Sequence, residues 1–219
     1  EMNDMEKPDF LKNAMRNLSI PVITMEKYGF DCPGVDILFD YEKGGYMATR
    51  HLIECGHRRI GCVAGKQSFH VTMQRLNGYK KALEESGISY DPDLVYFGDY
   101  TMESGYEAFS YILGQKVTAI FSMNDEMAFG IYRAARLYGV SIPEDISIIG
   151  FDNVPFADVM QVPLTTIGVP VIEMGKKLGE KVVDLIDNKE KLKEREEILY
   201  TPRLLVRGST KSIPPVTVI

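Results

Sequence analysis

Apolar residues along this chain fall into two kinds of run that alternate. Short runs, PVITM (21–25), VDILFD (35–40), IGCVAG (60–65), LVYFGD (94–99), TAIFSM (118–123) and ISIIGF (146–151), are bounded by Pro, Gly or charged residues and read as buried strands. Between them, apolar residues recur every three or four positions. That spacing predicts helices over 9–18, 44–55, 72–86, 102–113, 125–138 and 171–187. Met73, Leu76, Tyr79 and Leu83 share a face of one helix, and Met174, Leu178, Val182 and Leu185 of another. Gly56, Gly87 and Gly139 stand where three of these helices should stop, because glycine takes the left-handed terminating conformation without a Cβ penalty. A last strand, LLV (204–206), precedes the tail KSIPPVTVI, which has no period.

Short apolar strands separated by helices specify parallel pairing with right-handed crossovers. The fold class is therefore α/β, doubly wound. In such sheets ligands sit beyond the carboxyl ends of the strands, where loops meet helix N-termini. The strand ends deliver Asp99 and Tyr100, Asn124 and Asp125, and Asp152 and Asn153 to that edge; the loop after 60–65 adds Phe69, His70 and Arg75. Amides, a carboxylate, a guanidinium and aromatic rings suit a polyhydroxylated neutral ligand, whose hydroxyls both donate and accept and whose C–H face packs on a ring. At the junction IFSMNDEMAFG (120–130), Asp125 is expected to cap the following helix and Asn124 to hydrogen-bond the ligand.

Composition narrows the function classes. With 219 residues the chain can bury a sizeable core, and 45% hydrophobic and 26% charged residues are ordinary for a globular domain. A net charge of −6 argues against a nucleic-acid surface on this chain, since phosphate neutralisation needs clustered Lys and Arg and the one basic knot is His57-Arg58-Arg59. No apolar run approaches the ~20 residues that span a bilayer, and the first residues carry no signal-peptide pattern. The cysteines Cys32, Cys55 and Cys62 are odd in number and favour a reducing cytoplasm over a disulfide framework. His51, Cys55, His57 and Cys62 match no closed zinc spacing. GCVAGKQ (61–67) lacks the spacing and hydroxyl of a phosphate loop, and no nucleophile elbow is present, so neither a metal, a cofactor nor an enzymatic reaction is expected. The carboxylates at 84–85 and 194–197 read as solvated helix faces.

Six segments, RHLIECGHRRIGCVAG (50–65), QRLNGYKKALEESGI (74–88), SMNDEMAFG (122–130), VSIPEDISIIGFDN (140–153), PLTTIGVPVIEMG (163–175) and LLVRGST (204–210), resemble the effector-binding core of lactose/galactose-repressor (LacI/GalR) transcription regulators. DYEKGGYMATRHLI (40–53) is similar to the sensor of arabinose repressors, in which this core is joined to a different DNA-binding head. The resemblance spans about residues 9 to 210 and implies two periplasmic-binding-protein-like lobes around a sugar cleft. It places the first lobe, N-terminally truncated, at 1–57 plus 168–192, the second at 58–167 plus 193–212, and a tail at 213–219.

Residue by residue, the resemblance implies ligand contacts at Arg75, Asn124 and Asp152, with Tyr100 as an aromatic platform and Phe69 beside it. The other lobe is expected to contribute at Asp40, Tyr41 or Lys43, of which Lys43 is the candidate retained. Tyr41 departs from the family's Asn, and Val169 from a Gln that some relatives carry. The implied function is sugar sensing, in which ligand-driven lobe rearrangement controls DNA binding by a head not in this sequence, in a cytoplasmic homodimer. The alternative is an exported sugar carrier of an uptake system, which shares the fold; the GHRRI turn, the LVRGST ending and the cysteines favour the regulator. Arg75→Ala is expected to abolish binding and leave the melting temperature nearly unchanged.

Overall fold

A computed structural model of the chain describes residues 22–24, 34–188 and 195–214. In chain order the elements are β1 (Ile23–Thr24), β2 (Gly34–Phe39), α1 (Tyr41–Glu54), β3 (Ile60–Ala64), α2 (His70–Glu85), β4 (Val95–Phe97), α3 (Met102–Gly114), β5 (Ala119–Ser122), α4 (Asp125–Tyr138), β6 (Ser147–Asp152), β7 (Thr165–Gly168), α5 (Val171–Asp187), β8 (Arg195–Tyr200) and β9 (Arg203–Leu205). The helix expected over 9–18, the flanks of the strand expected over 21–25 and the last tail residues, 215–219, lie outside the described residues.

Among the described residues two sheets form, ordered β1-β2-β8 and β4-β3-β5-β6-β7-β9. Every pairing among the described residues is parallel except that of β9, which runs antiparallel to β7. The chain divides into two compact units, 1–40 with 170–202 and 41–169 with 203–219. These boundaries differ from the expected ones at 57 and 192, for two reasons. Helix α1 packs on α2, which draws 41–57 into the second unit, and β8 pairs along its whole length with β2, which draws it into the first.

In the second unit β3 and β5 are buried at every position and β6 at all but its last, as expected for parallel strands covered on both faces. Two helix pairs cover them with the same device. A Cβ on Gly45 of α1 would lie 2.2 Å from the Arg75 carbonyl oxygen, and one on Gly78 of α2 2.0 Å from that of Glu42. On α3 and α4, a Cβ on Gly105 would lie 2.1 Å from the Met127 carbonyl oxygen, and one on Gly130 1.9 Å from that of Met102. Bare glycines let each pair's backbones touch.

In the first unit, β2 buries Val35, Ile37 and Phe39 and turns Asp36 outward to Arg195 of β8, 2.9 Å away. Residues 195–197, read from the sequence as a solvated helix face, are instead the start of this edge strand. Its charged residues, Arg195, Glu196 and Glu197, face solvent and disguise the pairing. Strand β7 likewise lacks an apolar run, because two of its four residues are threonines.

At the amino end of the large sheet, His57 is buried. Its Nδ1 lies 2.9 Å from Thr118 Oγ1, and its Nε2 3.0 Å from Ser147 Oγ and 3.2 Å from the Lys211 carbonyl oxygen. Burial holds the ring's pKa below its ordinary value. The imidazole ties the entries to β5 and β6 to the C-terminal segment, so this histidine is a structural clamp.

Candidate functional site

The large sheet reverses its winding between β3 and β5, because β4 adds on one side of β3 and β5 on the other. A crevice for ligands is expected beyond the carboxyl ends at such a point. Arg75, in the second turn of α2, projects there. It is only 6% exposed. Its Nη1 donates to the Met123 carbonyl oxygen and its Nη2 lies 3.3 Å from Asp152 Oδ1. The guanidinium carbon sits 3.9 Å from the centroid of Phe151, 5.0 Å from that of Tyr41 and 5.7 Å from that of Tyr100. A planar, weakly hydrated cation stacked on rings in this way gains both dispersion and cation–π attraction. Its Nε is buried with no hydrogen-bond partner among the described residues.

Three positions on this edge hold backbone conformations that L-residues seldom adopt: Tyr100 (φ 73°), Asp152 (φ 108°) and Asn153 (φ 60°). Each costs about 1–3 kcal/mol and persists only where neighbours over-determine it. The ties are visible. Asn124 Nδ2 donates to the Tyr100 carbonyl oxygen at 2.9 Å, and the Tyr100 hydroxyl lies 2.8 Å from that of Thr72. Arg207 Nη2 donates to Asn153 Oδ1 at 2.7 Å, and the Val169 N–H to the Asp152 carbonyl oxygen at 3.3 Å. Gly65 lies flat against Tyr100; a Cβ there would be 2.0 Å from its ring.

At the junction after β5 the cap falls on the other of the two polar residues, contrary to the sequence expectation. Asn124 is the N-cap of α4, its Oδ1 accepting from the Met127 N–H at 2.9 Å. Asp125 is the first helical residue and does not cap; its carboxyl is fully buried, accepting from the Val154 N–H at 2.9 Å and the Thr166 hydroxyl at 2.6 Å. Burial pushes its pKa up to about 6, against the pull of those two donors. Both residue types cap well, so propensity alone could not decide which of the two neighbours caps the helix.

The structure thus brings Arg75, Asn124, Asp152 and Tyr100 to one edge. Phe69 joins them, its ring near-parallel to Tyr100 (17°) at 6.3 Å between centroids, with Lys66 Nζ 5.6 Å from its face. Lys43 is exposed in the first turn of α1; from that turn it is Tyr41 whose ring reaches Arg75 and stacks on Phe151. Phe151, Thr72 and Thr166 had no functional signal in the sequence, and Asp125 reads there only as a cap. The first reads as a strand residue, and the others act through contacts across elements.

The pair at the centre is asymmetric. The Arg75 side chain is 7% exposed and that of Asp152 35%. Arginine is the strut and the aspartate the group that can meet a ligand. Burial pushes the Asp152 carboxyl up while Arg75 holds it down. A carboxylate with one oxygen on Arg75 and the other half of its lone pairs available, flanked by rings, can accept from hydroxyls and cover an apolar face. Among the described residues no group of His, Cys, Asp and Glu is arranged to hold a metal, and no helix is long and apolar enough to cross a membrane.

A family model described as a periplasmic binding protein-like domain matches residues 49–210. The HTH-type transcriptional repressor PurR of Photobacterium profundum is 36% identical over 208 residues, 94% of this chain and 61% of that protein. The chain therefore spans less than two thirds of that relative's length. Among solved structures, a LacI family transcriptional regulator from Enterococcus faecium with bound ribose superposes with a TM-score of 0.85 at 30% identity, covering 95% of this chain and 77% of that one. A LacI-family sugar-binding transcriptional regulator from Escherichia coli complexed with phosphate gives 0.78 at 26% identity, with 94% and 73% covered.

Proposed function

The chain belongs to the LacI/GalR family of transcription regulators, as its periplasmic-binding-protein-like effector domain, and from that premise we propose that it binds a small neutral sugar or sugar derivative at the carboxyl edge of the large sheet. The observation that carries this reading is the Arg75–Asp152 pair, set among the rings of Tyr41, Tyr100 and Phe151. Asp152 accepts from ligand hydroxyls, Tyr100 and Phe69 offer an apolar face, and Arg75 holds Asp152 in place. Asn124 acts by fixing Tyr100 and the start of α4; Lys43 stands at the periphery of the site.

In the whole protein, ligand binding favours one of two arrangements, and a DNA-binding head outside this sequence reads the result. The shift is limited by the ligand's differential affinity for the two states. The relatives named above are transcription regulators, which favours this role over an exported carrier or an enzyme. A cytoplasmic setting agrees with the two described cysteines, Cys55 and Cys62, which are free. We read the protein as a homodimer. Phe156, 57% exposed and edge-on to Phe129 at 5.3 Å, and Val159, 70% exposed, give the second unit an apolar surface of the kind a second copy covers.

Titration calorimetry of the full-length protein against pentoses, hexoses, disaccharides and their phosphates tests the site. One neutral sugar should bind at micromolar level, on the order of −8 kcal/mol. A flat response across the panel, or binding confined to the phosphorylated sugars, would contradict the proposal.

A further inference from the structure

We propose that Asp125 is a positioning residue for this site: from the first turn of α4 it holds the left-handed turn that carries Asp152 at the end of β6. The proposal rests on the reading that Asp152 faces the ligand. Asp125 itself touches nothing outside the protein. Its carboxyl bridges three elements, accepting through Oδ2 from the backbone N–H of Val154, just past the turn, and through Oδ1 from the hydroxyl of Thr166 on β7. Space for it is cut from β6, where a Cβ on Gly150 would lie 2.2 Å from Oδ1.

A buried carboxyl is an expensive way to fill a core position, and an apolar residue would be cheaper if filling were all that mattered. The turn supplies the reason. Asp152 and Asn153 are consecutive non-glycine residues at φ 108° and 60°, and such a pair relaxes unless it is held from several sides. Arg207 holds Asn153, and the Val169 N–H holds the Asp152 carbonyl oxygen. Asp125 closes the remaining side at Val154. With Asn124 fixing Tyr100, the two adjacent residues after β5 brace strained turns on opposite sides of that strand.

Backbone amide exchange followed by NMR tests this without any ligand, so its outcome is separate from that of the sugar titrations. In Asp125→Ala, exchange of the Val154 and Val169 amides should quicken at least ten-fold relative to that of Ile148 and Val140, whose amides report the rest of the unit. Asp125→Asn, whose amide still accepts from Val154 and can donate to Thr166, should restore both to within two-fold. If Asp125→Ala fails to fold, Thr166→Val removes one anchor alone and should quicken Val154 selectively. Uniform quickening of all four amides, or no rescue by Asn, would make Asp125 an ordinary core brace and overturn the proposal.

Discussion

The guanidinium of Arg75 and the carboxylate of Asp152 meet at 3.3 Å although 77 residues separate them in the chain. The contact joins the second turn of α2 to the end of β6, and the residue before the aspartate, Phe151, supplies the ring on which the guanidinium rests. One side chain therefore links three parts of the site: the helix after β3, the carbonyl at the end of β5, and the carboxylate after β6.

That burial changes the expectation for Arg75→Ala. An exposed ligand arginine could be removed without cost to stability, as the sequence suggested. A buried one leaves Asp152 unpaired, the Met123 carbonyl without its donor and three rings facing a void. Breaking a buried pair costs about 3–5 kcal/mol, and the partly exposed partner here lowers the value to about 2–4 kcal/mol. Urea unfolding should show that loss alongside the loss of sugar binding. A change under about 1 kcal/mol would mean the pair is solvated and the packing unimportant.

Gly65→Ala tests the platform from the other side. The new methyl would meet the Tyr100 ring at 2.0 Å, and the ring is itself held by Thr72 and stacked beside Phe69. Overpacking of this kind costs about 1–3 kcal/mol. Sugar affinity should fall by more than the stability loss explains, because Tyr100 must swing out of line. Retained affinity with an unshifted melting temperature would remove Tyr100 from the site.

How much was legible beforehand divides along physical lines. Helices 125–138 and 171–187 were readable to the residue because the 3.6-residue period is strong over four turns and Gly139, at φ 69°, stops the first of them. The convergence of Arg75, Asn124 and Asp152 followed from the rule that parallel strands deliver their ends to one edge. What escaped is what depends on partners. β8 took its strand state from pairing with β2 rather than from its own charged sequence. Asn124 rather than Asp125 caps because a helix starting at Asp125 puts its cap one residue earlier, and the buried role of Asp125 depends on Val154 and Thr166. Burial of Arg75 depended on rings contributed by α1, β6 and the turn after β4.

Asn124 makes two bonds that a substitution can separate. Asn124→Ala removes both the cap and the tie to the Tyr100 carbonyl, and loss of an N-cap alone costs about 1 kcal/mol. Asn124→Asp keeps an equally good cap but turns a carboxylate oxygen toward the Tyr100 carbonyl, where a donor stood. Chemical denaturation should therefore show Asp recovering little of what Ala loses. Full recovery by Asp would reduce Asn124 to a cap.

The buried acid sets a pH dependence whose sign can be worked out. Asp125 has a folded pKa of about 6 against an ordinary value of 3.8. Between those values the folded protein keeps a proton that the unfolded chain has released, so stability falls as pH rises through the window and is level above it. The gap between those two values corresponds to about 3 kcal/mol. His57 works in the opposite sense: its lowered pKa makes the protein lose stability as pH falls below about 6.5. The two partly cancel in the native protein, so the difference between Asp125→Asn and the native chain isolates the acid. Denaturation free energies measured from pH 3 to 7 should show that difference shifting in favour of the variant by about 3 kcal/mol, most of it below pH 6. A difference that stays flat would place a proton-independent environment around Asp125, and one that moves the other way would mean its hydrogen bonds outweigh its burial.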